Sequence, residues 1–142
     1  MSVRDHIAGW LRRWFPEKPL GQRGEDAAAR YLRRRGYRIL GRGQSWKGGE
    51  LDIVALKGET IVFVEVRTRQ SDVPTRPEES VDLNKQRRLT RLAVGYLKRH
   101  RLFGHPARFD VVAVVWPEGR RRPEIRHVEN AFPAVGLPGF FS

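Results

Sequence analysis

Residues 50–67 read ELDIVALKGETIVFVEVR, and the fold is decided there. Two runs rich in Val and Ile flank Gly58-Glu59. A two-residue loop with Gly in its first position suits a type II′ hairpin turn. That turn sets a register in which Leu56 faces Ile61, Val54 faces Phe63, Asp52 faces Glu65 and Glu50 faces Arg67. On the other side Leu51, Ile53 and Ala55 meet Val66, Val64 and Val62. Both sides are apolar, as expected of a hairpin at the centre of a sheet covered on both faces.

This register puts two carboxylates, Asp52 and Glu65, opposite each other on an inward face. Directly opposed side chains have Cβ atoms about 5 Å apart, and like charges there are destabilising. Taking two such ions out of water costs on the order of several kcal/mol unless something compensates. A divalent cation would do so, since hard carboxylate oxygens bind one well. A shared proton, with one pKa raised, is a second answer, and cationic neighbours are a third.

Cations do stand in the pattern. Arg67 follows Glu65 on the same face, and Lys85 leads the apolar stripe of Leu89 and Leu92. Glu25 lies one turn before Ala28 and Ala29 on an earlier helix. Inward charges at Glu25, Asp52, Glu65, Arg67 and Lys85 are more than a purely structural core carries. Clusters of this kind more often mark function. The competing account is an ion-pair cluster in which Arg67 and Lys85 neutralise Asp52 and Glu65.

Working outward, residues 21–35 form a helix that Gly36 ends as a C-cap. A strand is expected over 37–40, then a Gly-rich irregular stretch over 41–49 around Trp46. After the hairpin come a polar loop over 70–80, a long helix over 82–100, a β-branched strand over 108–116 and a shorter strand over 124–128. The order α-β-β-β-α-β-β mixes antiparallel neighbours with a helical crossover, and so predicts an α/β fold with a mixed β-sheet flanked by helices. Residues 1–20 read as an amphipathic N-terminal extension, with Ile7, Trp10, Leu11, Trp14 and Phe15 on one helical stripe. That stripe packs on the domain or on a second subunit, with a membrane surface the less favoured partner. The domain proper spans 21–129, and the Pro- and Gly-rich tail 130–142 is expected to be weakly ordered.

Composition narrows the partner. Of 142 residues, 28 are Lys or Arg against 16 Asp or Glu, a formal net charge of +12. Arginine dominates, and it binds phosphate bidentately, which favours nucleic acid over a membrane. There is no cysteine, which removes disulfides and thiolate chemistry and agrees with a cytoplasmic setting. No apolar run approaches the roughly 18 residues of a membrane span. Gly41-Arg42-Gly43 lacks the lysine and helix of a P-loop, so nucleotide hydrolysis is excluded. His6, His100, His105 and His127 lack metal-ligand spacing and read as surface or packing residues. Asp110 reads as a structural ion pair with Arg108. Trp46, beside Lys47, either stacks on an unpaired base or packs on the core.

Gly24-Glu25 on a helix, Gly49-Glu50-Leu51-Asp52 on a strand and Phe63-Val64-Glu65-Val66-Arg67-Thr68-Arg69 on the next resemble the PD-(D/E)xK nucleases. With Lys85-Gln86-Arg87-Arg88 and Arg108-Phe109-Asp110-Val111-Val112, residues 21–115 more narrowly resemble the YraN-type bacterial family, which is similar to archaeal Holliday junction resolvases. The resemblance implies a restriction-endonuclease-like fold and hydrolysis of DNA phosphodiester bonds, in branched or damaged DNA, with Mg²⁺ (or Mn²⁺). It implies Asp52 and Glu65 as metal ligands, the Val66 carbonyl as a further one, and Glu25 acting through water or a second metal. Arg69, Lys47, Arg87 and Arg88, with Trp46, are expected at the nucleic acid, although a solvated helix face is the default reading of the run Arg87-Arg88. A symmetric junction also invites a homodimer. The departure is Arg67, where the superfamily usually has lysine. Arginine cannot act as a base, but it can stabilise charge on phosphorus, and Lys85 supplies an ammonium from the helix. The alternative is a non-catalytic nucleic-acid-binding module that retains the nuclease fold.

Overall fold

The computed structural model of the chain describes residue 3, residues 18–70 and residues 81–136. The expected N-terminal stripe from Ile7 to Phe15 and, apart from Gln70, the expected polar loop over 70–80 lie outside the described residues.

The elements run α1 (Leu20–Arg34), β1 (Arg38–Trp46), β2 (Gly49–Lys57), β3 (Thr60–Arg69), α2 (Leu83–Arg99), β4 (Ala107–Val115) and β5 (Glu124–Phe132). The five strands form one sheet in chain order. All neighbours are antiparallel except β3 and β4, which are parallel and therefore need the α2 crossover. This is the expected α-β-β-β-α-β-β order and a restriction-endonuclease-like α/β architecture.

The two helices cover opposite faces. On one face Ala28, Ala29 and Leu32 of α1 pack with Ile53, Val62, Val64, Val112 and Val114. On the other, Leu89, Leu92, Tyr96 and Leu97 of α2 pack with Val54, Phe63, Phe109 and Val111. Alternating positions of β3 and β4 serve the two clusters, which is why Ile61–Val64 and Val111–Val115 are unbroken apolar runs. Each helix is closed by local chemistry. The Asp82 side chain accepts the Lys85 N–H at 2.8 Å and caps the start of α2. At the end of α1, Gly36 is left-handed (φ 88°) and the Tyr37 N–H returns to the Leu32 carbonyl at 2.9 Å, a Schellman ending. At the end of α2 Arg101 takes that role (φ 56°), with Leu102 N–H on the Leu97 carbonyl at 2.7 Å.

The hairpin has the expected register from Lys57↔Thr60 to Ile53↔Val64. Gly58 is left-handed (φ 61°) and Glu59 is not among the positive-φ residues, which fits the type II′ turn. The ladder then stops, so Asp52–Glu65 and Glu50–Arg67 are not ladder pairs. Leu51 also departs from expectation: it packs with Val54 on the α2 side instead of with Ile53 and Ala55. Alternation is broken at Asp52.

Two other expectations are corrected. Residues 41–46 are not irregular but continue β1, which carries a register shift between Ile39 and Gly41. Lys47 (φ 46°) and Gly48 (φ 78°) make a two-residue turn with both residues left-handed, the type I′ pattern. At the other end β5 runs on to Phe132, past the expected stop at Val128. Phe132 is buried and stacks on Phe109, centroids 4.7 Å apart. The first residues of the expected tail are thus paired strand.

Candidate active site

Where the β2–β3 ladder ends, a side chain replaces a backbone acceptor: the Val66 N–H donates to Asp52 Oδ2 at 2.9 Å. This one bond fixes Asp52 at the mouth of a cavity of about 480 Å³ that Gly49, Glu50, Glu65, Lys85 and Arg88 also line.

Glu25 arrives from α1, and Gly24 is the reason it can. A Cβ at Gly24 would overlap the Thr68 side chain, so the helix backbone lies directly on β3. Glu50 arrives from the start of β2. One carboxylate oxygen from each of Glu25, Glu50 and Asp52 falls within 4.8 Å of the others. Ligands of one Mg²⁺, each bound at about 2.1 Å, sit at most about 4.2 Å apart, so the group needs to close only slightly to share an ion. Its all-oxygen, multiply acidic donor set is the kind such hard cations take. Burial pushes the Asp52 carboxyl up to about 7, and the neighbouring charges of Glu65 and Glu25 push the same way. The Val66 N–H and Lys85 oppose them without prevailing. Burial also raises Glu25, with Glu50 adding to it. Arg42, which also bonds Asp26 at 2.6 Å, lowers Glu25 without outweighing its burial.

Glu65 is differently placed. It is only 6% exposed, and its Oε1 lies 2.6 Å from Lys85 Nζ and 3.7 Å from Arg67 Nε. The structure therefore brings together all five expected inward charges and divides them. Glu25 and Asp52 join Glu50 in an acidic group, while Glu65 pairs with Lys85 and Arg67. Val66, expected to offer its carbonyl, is the residue whose N–H holds Asp52. The sequence register had matched Glu50 with Arg67, so its place in the acidic group was missed. The spacing Glu50-x-Asp52 was the available signal.

The expected nucleic-acid residues fall in two places. Arg88 on α2 lines one recess with Trp46 and Lys47, whose Nζ lies 4.7 Å from the Trp46 ring centroid. Trp46 packs against Gly95, where an added Cβ would overlap its ring, and Arg99 lies 4.4 Å from its centroid. Arg87 is exposed on α2, and Arg69 sits at the far end of β3.

Asp110, on β4, is a further carboxylate taken into the sheet, and it is fully buried. It accepts from Arg108 Nε at 2.9 Å, from the Asn130 N–H at 2.9 Å and lies 2.8 Å from His127 Nε2. The far ring nitrogen of His127 meets Tyr31 Oη at 3.2 Å. The expected Arg108 pair is present. His127 is more than a packing residue, since it completes this network.

Among the described residues no helix is long and apolar enough to cross a membrane. The family model described as "Uncharacterised protein family UPF0102" matches residues 24–114. A UPF0102 protein of Rhodopirellula baltica is 49% identical over 125 residues, covering 86% of this chain and 75% of the relative. UPF0102 proteins of Moorella thermoacetica and Pelotomaculum thermopropionicum are 50% and 45% identical, covering 79% and 81% of this chain and 93% and 96% of theirs.

Proposed function

This chain belongs to the UPF0102 family, the YraN-like group, and we propose that it is a metal-dependent endonuclease of the PD-(D/E)xK type, hydrolysing DNA phosphodiester bonds. The observation that carries this reading is the convergence of Glu25, Glu50 and Asp52 beside the Lys85–Glu65–Arg67 ion pairs. The high net positive charge suits a polyanionic substrate.

Asp52, Glu25 and Glu50 would hold Mg²⁺ or Mn²⁺, with Glu65 at the border of the same cavity. Bound there, the ion would polarise the phosphate and lower the pKa of water. The chain's own groups do the rest. Arg67 and Lys85 place fixed positive charge where a pentavalent phosphorus gathers negative charge. Arg67 stays protonated throughout and orients rather than accepts a proton. Glu25, on the α1 side, would orient the attacking water through the ion that it helps to hold. Arg88 lies at the rim, placed to hold a flanking phosphate.

A second reading is favoured by one observation. Glu65 is already neutralised by Lys85, and Arg67 stands where lysine is usual. A DNA-binding module that keeps the fold without cleavage would look like this.

The test is incubation of purified protein with branched, flapped and single-stranded DNA in Mg²⁺ or Mn²⁺. Cleavage by the wild type that falls at least about a thousandfold in Asp52→Asn is expected for loss of a metal ligand. Cleavage that persists undiminished in Asp52→Asn and Glu65→Gln would reject the assignment. Salt-sensitive binding with no cleavage by any protein would leave the binding module.

A further inference from the structure

Next to the acidic cavity lies a second recess, of about 720 Å³, between the β1–β2 turn and α2. Arg88 and Leu92 line both, so the two spaces adjoin. We propose that this recess holds an unpaired nucleotide of the substrate strand, so that the preferred DNA carries a single-stranded segment beside the bond that is cut. The proposal rests on the nuclease reading above and adds to it the form of the substrate.

The lining argues for a base with its phosphates. Trp46, Leu92, Val94 and Gly95 give an apolar floor, while Lys47, Arg88, Arg91 and Lys98 supply cations around it, with no acidic residue among the described residues of the lining. Duplex DNA offers a protein surface mainly phosphate and sugar, for which cations on an open face are enough. An apolar recess ringed by cations matches a splayed-out base and its flanking phosphates, the arrangement of single-strand sites. The size falls within the range of about 300–1,000 Å³ typical of ligand pockets.

The recess is also built rather than incidental. Gly95 lets Trp46 lie against α2, since a Cβ there would overlap the ring. Lys47 and Arg99 flank that ring at 4.7 and 4.4 Å. The wall at Val135 is pinned by its N–H to Thr90 Oγ1 at 3.1 Å, and Thr90 is in turn anchored on the Gln86 carbonyl at 2.8 Å.

The experiment reads binding without cleavage. Fluorescence anisotropy in EDTA compares the full-length protein on a blunt duplex and on the same duplex with a single-stranded flap. The flap form should bind about tenfold tighter or more, the scale of burying roughly 60 Å² of a base on the apolar floor. A single abasic substitution moved along the flap should weaken wild-type binding about tenfold at one position near the junction. Val94→Trp, which fills the recess, should bring intact flap DNA down to that abasic level and erase the positional effect. Equal affinity for blunt and flapped DNA, or a flat abasic scan with wild-type protein, would overturn the proposal. The scan needs no variant, so a misfolded Val94→Trp protein would not rescue the proposal. A clear flap preference with no cleavage in Mg²⁺ would keep the recess and reject the enzyme. Equal cleavage of blunt and flapped DNA would keep the enzyme and reject the recess.

Discussion

Asp52 and Asp110 are aspartates drawn into the same sheet, and their surroundings treat them in opposite ways. Burial alone would raise Asp110, but His127, Arg108 and the Asn130 N–H more than cancel it and hold its carboxyl below the usual range. Among the described residues Asp52 accepts one hydrogen bond, from the Val66 N–H, and burial together with the charges of Glu65 and Glu25 pushes its carboxyl up to about 7. One region spends its donors on satisfying a charge. The other gathers charges and leaves them short of donors. A carboxylate fully served by the protein is structural, whereas one left in debt to its neighbours marks where an outside cation or proton belongs.

Isosteric removal of each charge tests this contrast most strongly. Asp110→Asn should lose about 3 kcal/mol in urea unfolding, because it breaks a buried pair. Asp52→Asn should be no less stable than wild type in metal-free buffer at pH 8. Equal losses would break the comparison.

Next in size is Gly24→Ala. Its Cβ overlaps Thr68 and should cost about 1–3 kcal/mol by overpacking. Because α1 must shift, it should also loosen Mn²⁺ binding in calorimetry, and Thr68→Ala should restore part of both. Normal Mn²⁺ affinity in Gly24→Ala would mean that Glu25 does not belong to the acidic group.

The two sites should also pull stability in opposite directions with pH. Asp52 is raised from 3.8 to about 7, so its contribution is complete below about pH 3.8 and is lost as pH rises through 7. Asp110 is lowered from 3.8, so its contribution is complete above that value and is lost as pH falls below it. Urea midpoints of wild type minus Asp52→Asn should therefore decline from pH 4 to pH 8. Mn²⁺ affinity of wild type should rise over the same interval as the Asp52 proton leaves. A difference independent of pH would contradict the raised carboxyl. The smallest effect is expected for Asn130→Gly. Asn130 is left-handed (φ 50°) and reaches Asp110 through its backbone N–H alone. Stability should change by less than about 0.5 kcal/mol, since glycine tolerates that conformation.

How much of this could be read from residue order follows from which interactions are periodic. The β2–β3 register was legible because a glycine turn and two apolar runs agree on it. Glu25 and Lys85 were legible because each sits one helical turn from residues that must face the sheet. The end of the ladder at Ile53–Val64 was not, because a side chain standing in for a backbone acceptor leaves no repeating pattern. Glu50 was misassigned for the same reason. The length of β1 was hidden by its glycines and by Lys47, an unusual residue for a left-handed turn position. The last residues of β5 were hidden because an edge strand with one neighbour is polar over much of its length. His127 meeting Asp110 is a tertiary encounter that histidine spacing alone does not signal.

The strands lie side by side in the order in which they are synthesised. The β1–β2–β3 meander is therefore a unit of local contacts, joined by two tight turns, and it holds Glu50, Asp52 and Glu65 before any residue of β4 is needed. Chains rich in local contacts fold fast because little loop entropy is lost before contacts form. In pulse-labelled refolding, amides of residues 49–66 should gain protection from exchange ahead of those in β4 and β5. The acidic half of the site would then assemble early, and the docking of α2, which brings Lys85, would be the late event that neutralises Glu65.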